Sequence, residues 1–139
     1  MRPMGLENDR IGVIQLASMS NLTYHPMMGA DDKPVAWLHG EIKTPPWSRQ
    51  ARRNVGWLLR RVQEGELLSL PASRPMPSVG PRCHELRISD LEKHKEWRIV
   101  YRIDDDAIVI ADVFAKTSRA TPRQTISACR KRLRIYDSI

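Results

Sequence analysis

The sequence predicts an α+β fold, in which helices and strands occupy separate stretches of the chain. Three consecutive segments beyond residue 82 carry the β-branched and aromatic residues typical of strands, and segments with helical spacing lie before and after them. At 139 residues the chain has room for one domain with a single compact core. Residues 1–32 show no sustained period, so we expect an N-terminal extension, partly disordered or loosely packed, before a domain over 33–139.

The first half of the predicted domain holds a short strand and a long helix. The strand covers residues 35–38 and ends at His39 and Gly40. Thr44 followed by two prolines is typical of a helix start, because a hydroxyl caps the helix and proline loses no hydrogen bond there. One apolar stripe follows at a spacing of three to four: Trp47, Ala51, Val55, Leu58 and Val62. We expect residues 67–70 to form a second short helix, followed by an irregular, proline-rich connection.

The second half predicts three strands and a basic helix. The strands are Cys83 to Ile88, Trp97 to Asp104 and Ala107 to Phe114, with an aspartate-rich turn between the last two. Thr121, Pro122 and Gln124 form the pattern of a capping box at the start of the final helix. Its predicted buried stripe contains Ile126, Cys129 and Leu133. The two cysteines lack disulfide or metal spacing, so Cys129 is predicted to be a buried free thiol.

The charge balance favours a polyanionic partner. Lys and Arg total 23 against 16 Asp and Glu, which gives a net charge of +7 and fits DNA, RNA or a ribosome. The sequence has no apolar run long enough for a membrane span, and residues 11–19 are too weakly apolar for a secretory signal, so we expect a cytoplasmic protein. It also lacks a glycine-rich phosphate loop, HExxH, CxxC and a nucleophile elbow, so we expect no metal and no cofactor.

Arginines interrupt the predicted strands at positions where a buried sheet would carry apolar residues. They are Arg87, Arg98 and Arg102. If Ile88 pairs with Trp97, Arg87 lies beside Arg98 on the same face. Like charges paired in this way are unfavourable unless an anion binds between them.

The pairing of the last two strands sets the other neighbours of Arg98. A three-residue turn places Arg98 opposite Asp112 and Val100 opposite Ile110, and Lys116 then continues the Arg98 face. The predicted face carries Arg87, Arg98 and Lys116, with Asp112 as the nearby acid. A slip of one residue would move half of this set to the other face.

Two interpretations of this face remain open. In the first, Arg98 and Asp112 form a structural salt bridge and Arg87 points into solvent. In the second, Arg87 and Arg98 bind a phosphate, and Lys116 stabilises charge on the transferring phosphoryl oxygens. His84, at the start of a strand, is either an acid–base residue or a partly buried histidine with its hydrogen bonds satisfied.

Four segments resemble the RelE/ParE toxin superfamily: HELRI from residue 84, WRIVYRID from 97, VFAKTSRATPRQTI from 113 and CRKRL from 129. The likeness is strongest to the phage-related, HigB-like branch and covers roughly residues 33–137. It implies a small, twisted, mostly antiparallel sheet packed by N-terminal helices, with a C-terminal helix at the edge. Where that branch tends to have two adjacent lysines, this chain has Lys116 followed by Thr117.

The resemblance also implies a function. Toxins of this kind belong to type II toxin–antitoxin pairs and cut mRNA within the ribosome without a metal, and their partner is a helix-turn-helix antitoxin. Our first hypothesis is therefore a toxin of this kind, with Arg87, Arg98 and Lys116 at the catalytic centre and His84 and Arg119 in support. Further cations expected to contact RNA are Arg102, Arg123, Lys93, Lys95, Arg49 and Arg53. The alternatives are a toxin of the same fold that binds DNA gyrase, and a phage-derived binding module without activity.

Overall fold

The computed structural model describes residues 32–38 and 46–139, and these ranges form an α+β fold. The elements in chain order are β1 (Val35–Trp37), α1 (Arg49–Gln63), β2 (Ser73–Pro75), β3 (Cys83–Asp90), β4 (Lys95–Ile103), β5 (Ile108–Ala115) and α2 (Arg123–Asp137). The predicted fold class is confirmed. The predicted N-terminal extension up to residue 31 and the predicted strand end at His39 and Gly40 lie outside the described residues.

The strands form one mostly antiparallel sheet in the order β1-β5-β4-β3-β2. β1 runs parallel to β5, and the other neighbouring pairs are antiparallel. β3, β4 and β5 are the three strands that the sequence predicts, each bounded within two residues of the expected ends. Ile88 pairs with Trp97 and Arg87 with Arg98, as predicted.

A β-bulge shifts the register between β4 and β5. Around it the structure gives the pairs Arg98–Phe114, Val100–Asp112 and Tyr101–Ile110. The predicted pairs Arg98–Asp112 and Val100–Ile110 are therefore wrong. They assumed a three-residue turn and an unbroken ladder. In the structure Ile103 pairs with Ile108, so the turn has four residues, and the bulge accommodates Ala111 as an extra residue of β5.

Helix α2 holds this bulge through Arg132. One terminal nitrogen of Arg132 donates to the carbonyl oxygen of Ala111 at 2.9 Å and lies 3.4 Å from Oδ1 of Asp112. Asp112 also accepts a hydrogen bond from the backbone N–H of Val113 at 2.8 Å. The carboxylate expected to neutralise Arg98 thus pairs with an arginine of the last helix.

Helix α1 packs on one face of the sheet. Its buried side chains are Ala51, Val55, Leu59 and Val62, and they join a core with Leu86, Ile99 and Ile110 of the strands. The predicted stripe is confirmed except at Leu58, which is only partly buried. Its neighbour Leu59 is fully buried in its place. No helix in the described ranges is long and apolar enough to cross a membrane.

The start of α1 differs from the prediction. Ser48 is the N-cap, and its hydroxyl oxygen accepts a hydrogen bond from the backbone N–H of Ala51 at 3.1 Å. The backbone N–H of Ser48 donates to Oδ2 of Asp90 at 2.9 Å, which ties the helix start to the end of β3. Because the helix begins at Arg49, the predicted cap at Thr44 is wrong, and Thr44 itself lies outside the described residues.

Helix α2 packs on the opposite face of the sheet. Cys129, Leu133 and Tyr136 are buried against Val100 and Val109, and Cys129 is a free thiol, as predicted. Ile126, which belongs to the predicted stripe, is half-buried.

The predicted capping box of α2 is wrong. Pro122 occupies the N-cap position, and no side chain makes a capping hydrogen bond. Thr121 lies one residue outside the cap, because the helix begins one residue later than the pattern indicates.

The segment between the helix and β3 contains a strand that the sequence prediction missed. Residues 67–69 have no regular secondary structure and residue 70 begins a turn, so the predicted second helix is wrong. Ser73–Pro75 then form β2 at the edge of the sheet, where the missing N–H of proline is tolerated. The hydroxyl groups of Ser73 and Tyr101 lie 2.7 Å apart and fix β2 to the core.

Candidate functional site

Arg87, Arg98 and Lys116 lie on one side of the sheet, and we call these three side chains the cationic face. Arg87 and Arg98 are directly opposite each other on β3 and β4. Arg98 is opposite Phe114 of β5, and Lys116 follows two residues later. The backbone N–H of Lys116 donates to the carbonyl oxygen of Glu96 at 2.7 Å, so the ladder continues to that point. Alternation along each strand therefore points the three cations to the same side.

Two surface recesses open along the cationic face. One is lined by Arg87, Arg98 and Lys116, with Pro71, Ser89 and Glu96. The other is lined by Arg98, Lys116, Glu85 and the loop that leads to α2. Because Arg98 and Lys116 border both recesses, an extended anion lying along this surface passes both side chains.

A buried carboxylate holds Arg98 in place. Nε of Arg98 lies 3.2 Å from Oε1 of Glu85, and one terminal nitrogen of Arg98 donates to the carbonyl oxygen of Trp97 at 3.0 Å. The other oxygen of Glu85 accepts from Nε of Arg74 at 2.6 Å. Arg98 is 4% exposed and Glu85 2%. Glu85 therefore links two arginines and fixes the guanidinium of Arg98 against the sheet.

The cationic face keeps an excess of positive charge. The side chains of Arg87 and Lys116 make no ion pair or hydrogen bond with residues 32–38 or 46–139. Burial, together with repulsion from Arg87, lowers the pKa of Arg98 below its ordinary value, despite the attraction of Glu85 and Glu96. An anion bound here would relieve this repulsion.

The start of α2 adds further anion-binding groups to the second recess. Its wall includes Lys116, Arg119 and Pro122. The first turn of α2 contains no acidic residue, and no side chain caps it. The recess thus reaches the N-cap of α2, the end of the helix that carries unpaired backbone N–H groups and the positive end of the helix dipole. Phosphate binds readily to such a combination of helix N-terminus and cationic side chains.

A comparison with protein families identifies the family of the chain. The model of the family described as phage-derived protein Gp49-like (DUF891) matches residues 46–134. The chain belongs to this family. The Gp49-like family is a RelE/ParE-like toxin family, so membership indicates a phage-derived toxin of the toxin–antitoxin type and implies an antitoxin as partner. A search of curated proteins found no match.

The matched region contains every residue of the cationic face, together with Glu85 and Arg119. The Gp49-like match thus covers both helices except the end of α2, and four of the five strands. The cationic face therefore lies within the region that the family model matches.

His84 does not join the cationic face. It precedes Arg87 by three positions on β3, an odd number, so the two side chains point to opposite faces. Its ring stacks on Tyr101, with centroids 5.4 Å apart. Nδ1 is buried without a hydrogen-bond partner in the described part of the chain, and burial lowers the pKa of His84 below 6.5. Because His84 lies on the other face, it is left out of the catalytic set proposed below.

Arg102 has a structural role. Its guanidinium donates to both oxygens of Asp104, at 2.6 and 2.8 Å, and to both oxygens of Asp137, at 2.6 and 3.0 Å. These bonds join β4 to the end of α2. With its donors occupied by two carboxylates, Arg102 is left out of the RNA-binding set proposed below.

The other predicted RNA contacts do not form one surface. Arg49 and Arg53 are exposed on α1, which packs on the opposite face of the sheet from the cationic face. Lys93 lies in the turn between β3 and β4, and Nζ of Lys95 lies over the ring of Trp97, 5.5 Å from its centroid. Arg123, the first residue of α2, lies beside the second recess.

The sequence prediction missed Glu85 and Arg74. Glu85 precedes Arg87 by two residues on the same strand, so alternation alone places it on the cationic face. Arg74 pairs across the sheet with Glu85, but it lies on β2, the strand that was not predicted. In the described residues, no group of three or more His, Cys, Asp or Glu side chains is arranged to hold a metal ion.

Proposed function

We propose that this Gp49-like protein is the toxin of a type II toxin–antitoxin pair in the HigB-like branch, and that it cuts mRNA on the ribosome in the cytoplasm. The cationic face carries this proposal. Arg87 and Lys116 have no partner in the described ranges and lie beside the buried Arg98. The net charge of +7 supports binding to a polyanion such as RNA.

In the proposed reaction, a ribose 2′-oxygen attacks the adjacent phosphorus and the 5′-oxygen of the next nucleotide leaves. The proton of the 2′-hydroxyl ends on the leaving oxygen, so the products are a 2′,3′-cyclic phosphate and a 5′-hydroxyl. Negative charge builds up on the non-bridging oxygens during the attack. Arg87 offers two parallel N–H donors to those oxygens and Lys116 a compact charge, while Arg98 contributes a fixed charge held by Glu85.

Arg119 supplies the positive charge that a second lysine supplies in the HigB-like pattern. Thr117 stands at that position and is neutral. Arg119 is exposed in the same recess as Lys116, and its side chain makes no ion pair in the described part of the chain. The proposal therefore gives Arg119 a supporting contact with phosphate. The proposed partner is a helix-turn-helix antitoxin that neutralises the toxin and represses the operon.

The test is to induce the wild type and three variants in bacteria and to follow growth, mRNA cleavage and DNA breaks. Arg87→Ala and Lys116→Ala each remove an unpaired cation, so the fold should stay intact while cleavage slows by about a hundredfold or more. Arg53→Ala is the matched control, because it removes an exposed arginine from the other side of the sheet. Arg98→Ala is a poorer test, since it would leave the buried Glu85 without its partner.

Each outcome separates the proposed function from its alternatives. Growth arrest with DNA breaks and intact mRNA would favour a gyrase-binding toxin, and no arrest at all would favour an inactive binding module. Full toxicity of both folded variants would overturn the site assignment.

The proposal also predicts that cleavage survives chelation, because guanidinium and ammonium groups stabilise the charge. EDTA with magnesium in excess would keep the ribosome intact while sequestering transition metals. Loss of cleavage under these conditions would contradict this mechanism.

A further inference from the structure

A cleft between β2 and α2 continues the recess beside the cationic face. One wall comes from the segment that includes Arg74, Pro75, Met76 and Pro77, and the other from the loop at Arg119 and from Ile126 of α2. Residues 119–121 line both this cleft and the recess that contains Arg98 and Lys116. A ligand bound at the cationic face can therefore extend into the cleft without leaving the surface.

The walls of the cleft are mainly apolar. Pro75 and Pro77 are exposed, Ile126 is half-buried and Met76 is buried beneath them. The proline rings and the aliphatic side chains offer van der Waals contact to a flat apolar ligand. A bare phosphate would gain nothing from these side chains.

Two guanidinium groups lie at the rim of the cleft. Arg74 donates its Nε–H to Glu85 at 2.6 Å, which leaves its terminal N–H groups without a partner in the described residues. Its side chain is 43% exposed. Arg119 is exposed on the opposite wall. These charges would disfavour a purely apolar ligand and attract one that joins an apolar part to an anion.

We propose that this cleft binds one nucleobase of single-stranded RNA, adjacent to the phosphate on the cationic face. The inference rests on the proposed function and adds a base-binding position to it. A nucleotide combines a flat, largely apolar ring with a phosphate, which matches apolar walls next to two guanidinium groups. Apolar contact with a ring depends little on which base is bound, so the cleft contributes affinity more than base preference.

The test measures binding of the full-length protein to a fluorescent RNA of a few nucleotides by anisotropy at low salt. All riboses carry 2′-O-methyl groups, which block the attack and keep the RNA intact. One probe has every base, and the others lack a single base at successive positions. We expect one abasic probe to bind about tenfold more weakly than the intact RNA, because the apolar contact between one base and the cleft is lost.

Ser78→Glu places a negative charge in the wall of the cleft, and Ile126→Ala removes part of its apolar surface. Both variants should reduce the difference between the intact RNA and that abasic probe to less than about twofold. Asn54→Glu is the control, because it makes the same kind of charge change on exposed α1. Melting temperatures of all variants check that they fold.

The results distinguish this inference from the proposed function. If every abasic probe binds like the intact RNA while Lys116→Ala abolishes binding, the cleft holds no base and the cationic face still binds phosphate. If Ser78→Glu weakens intact and abasic probes equally, its effect is general repulsion and the inference is overturned. If the wild type binds none of the probes, the inference is overturned, whereas the proposed function is judged by mRNA cleavage on the ribosome in the induced cells.

Discussion

Glu85 compensates the buried charge of Arg98, so Glu85→Gln is expected to destabilise the fold. Oε1 of Glu85 lies 3.2 Å from Nε of Arg98, and the two side chains are 2% and 4% exposed. In the variant, the buried guanidinium keeps its charge and its repulsive neighbour Arg87. The amide retains one oxygen acceptor, but its NH₂ group cannot accept from Arg74.

The magnitude follows from the burial of this pair. Removing one partner of a buried ion pair costs about 3–5 kcal/mol, and we expect about 3 kcal/mol because one acceptor remains. For a domain of about 100 residues, 1 kcal/mol lowers Tm by about 4 °C, so Tm should fall by about 12 °C. Glu96→Gln is the matched control. Glu96 lies 3.9 Å from the same guanidinium and is 53% exposed, so its loss should cost about 0–1 kcal/mol.

Thermal and urea unfolding followed by circular dichroism measure both variants. A double variant, Glu85→Gln with Arg98→Met, removes the uncompensated charge and should recover most of the lost stability, since an apolar replacement of a buried pair is often neutral. If Glu85→Gln and Glu96→Gln have the same stability within about 1 kcal/mol, the reasoning from burial is wrong.

Three further predictions concern the caps, His84 and the binding surface. Ser48→Ala removes the hydrogen bond that caps α1 and should cost about 1 kcal/mol, whereas Thr121→Ala should stay within about 0.5 kcal/mol; equal losses in urea unfolding would contradict the cap assignment. Burial lowers the pKa of His84 below 6.5, so the folded state binds fewer protons than the unfolded state. The free energy of unfolding should therefore decrease as pH falls below 6.5, and the contribution of His84 is fully present above that pH. His84→Phe should remove this pH dependence of Tm and leave mRNA cleavage unchanged, and loss of cleavage in the folded variant would restore His84 to the site. RNA affinity should fall steeply with added salt, and Lys116→Ala should reduce the slope of log affinity against log salt by about 1; a flat dependence in the wild type would refute binding to a polyanion.

The sequence alone determined the main elements and the centre of the candidate site. The spacing of apolar residues located α1 and α2, and short runs of β-branched and aromatic residues located β3, β4 and β5. The pairing of Arg87 with Arg98 was also predicted, on the condition that Ile88 pairs with Trp97, and the structure contains both pairs. These features depend on periodicity within short stretches, which the sequence carries directly.

Two features of the site were present in the sequence pattern and were not used. Glu85 is an even number of residues from Arg87, and His84 an odd number. Alternation along one strand therefore already placed the acid on the cationic face and the histidine on the other.

The tertiary structure decided the partners of the charged groups. A bulge adds a residue to β5 without changing its apolar pattern, so local sequence does not reveal that Asp112 pairs with Arg132 instead of Arg98. The start of α1 likewise depends on Asp90, which lies 42 residues from Ser48 in the chain and accepts its backbone N–H. Local periodicity specifies which elements form, whereas hydrogen bonds and ion pairs between distant residues specify where the elements end and which charges remain unpaired.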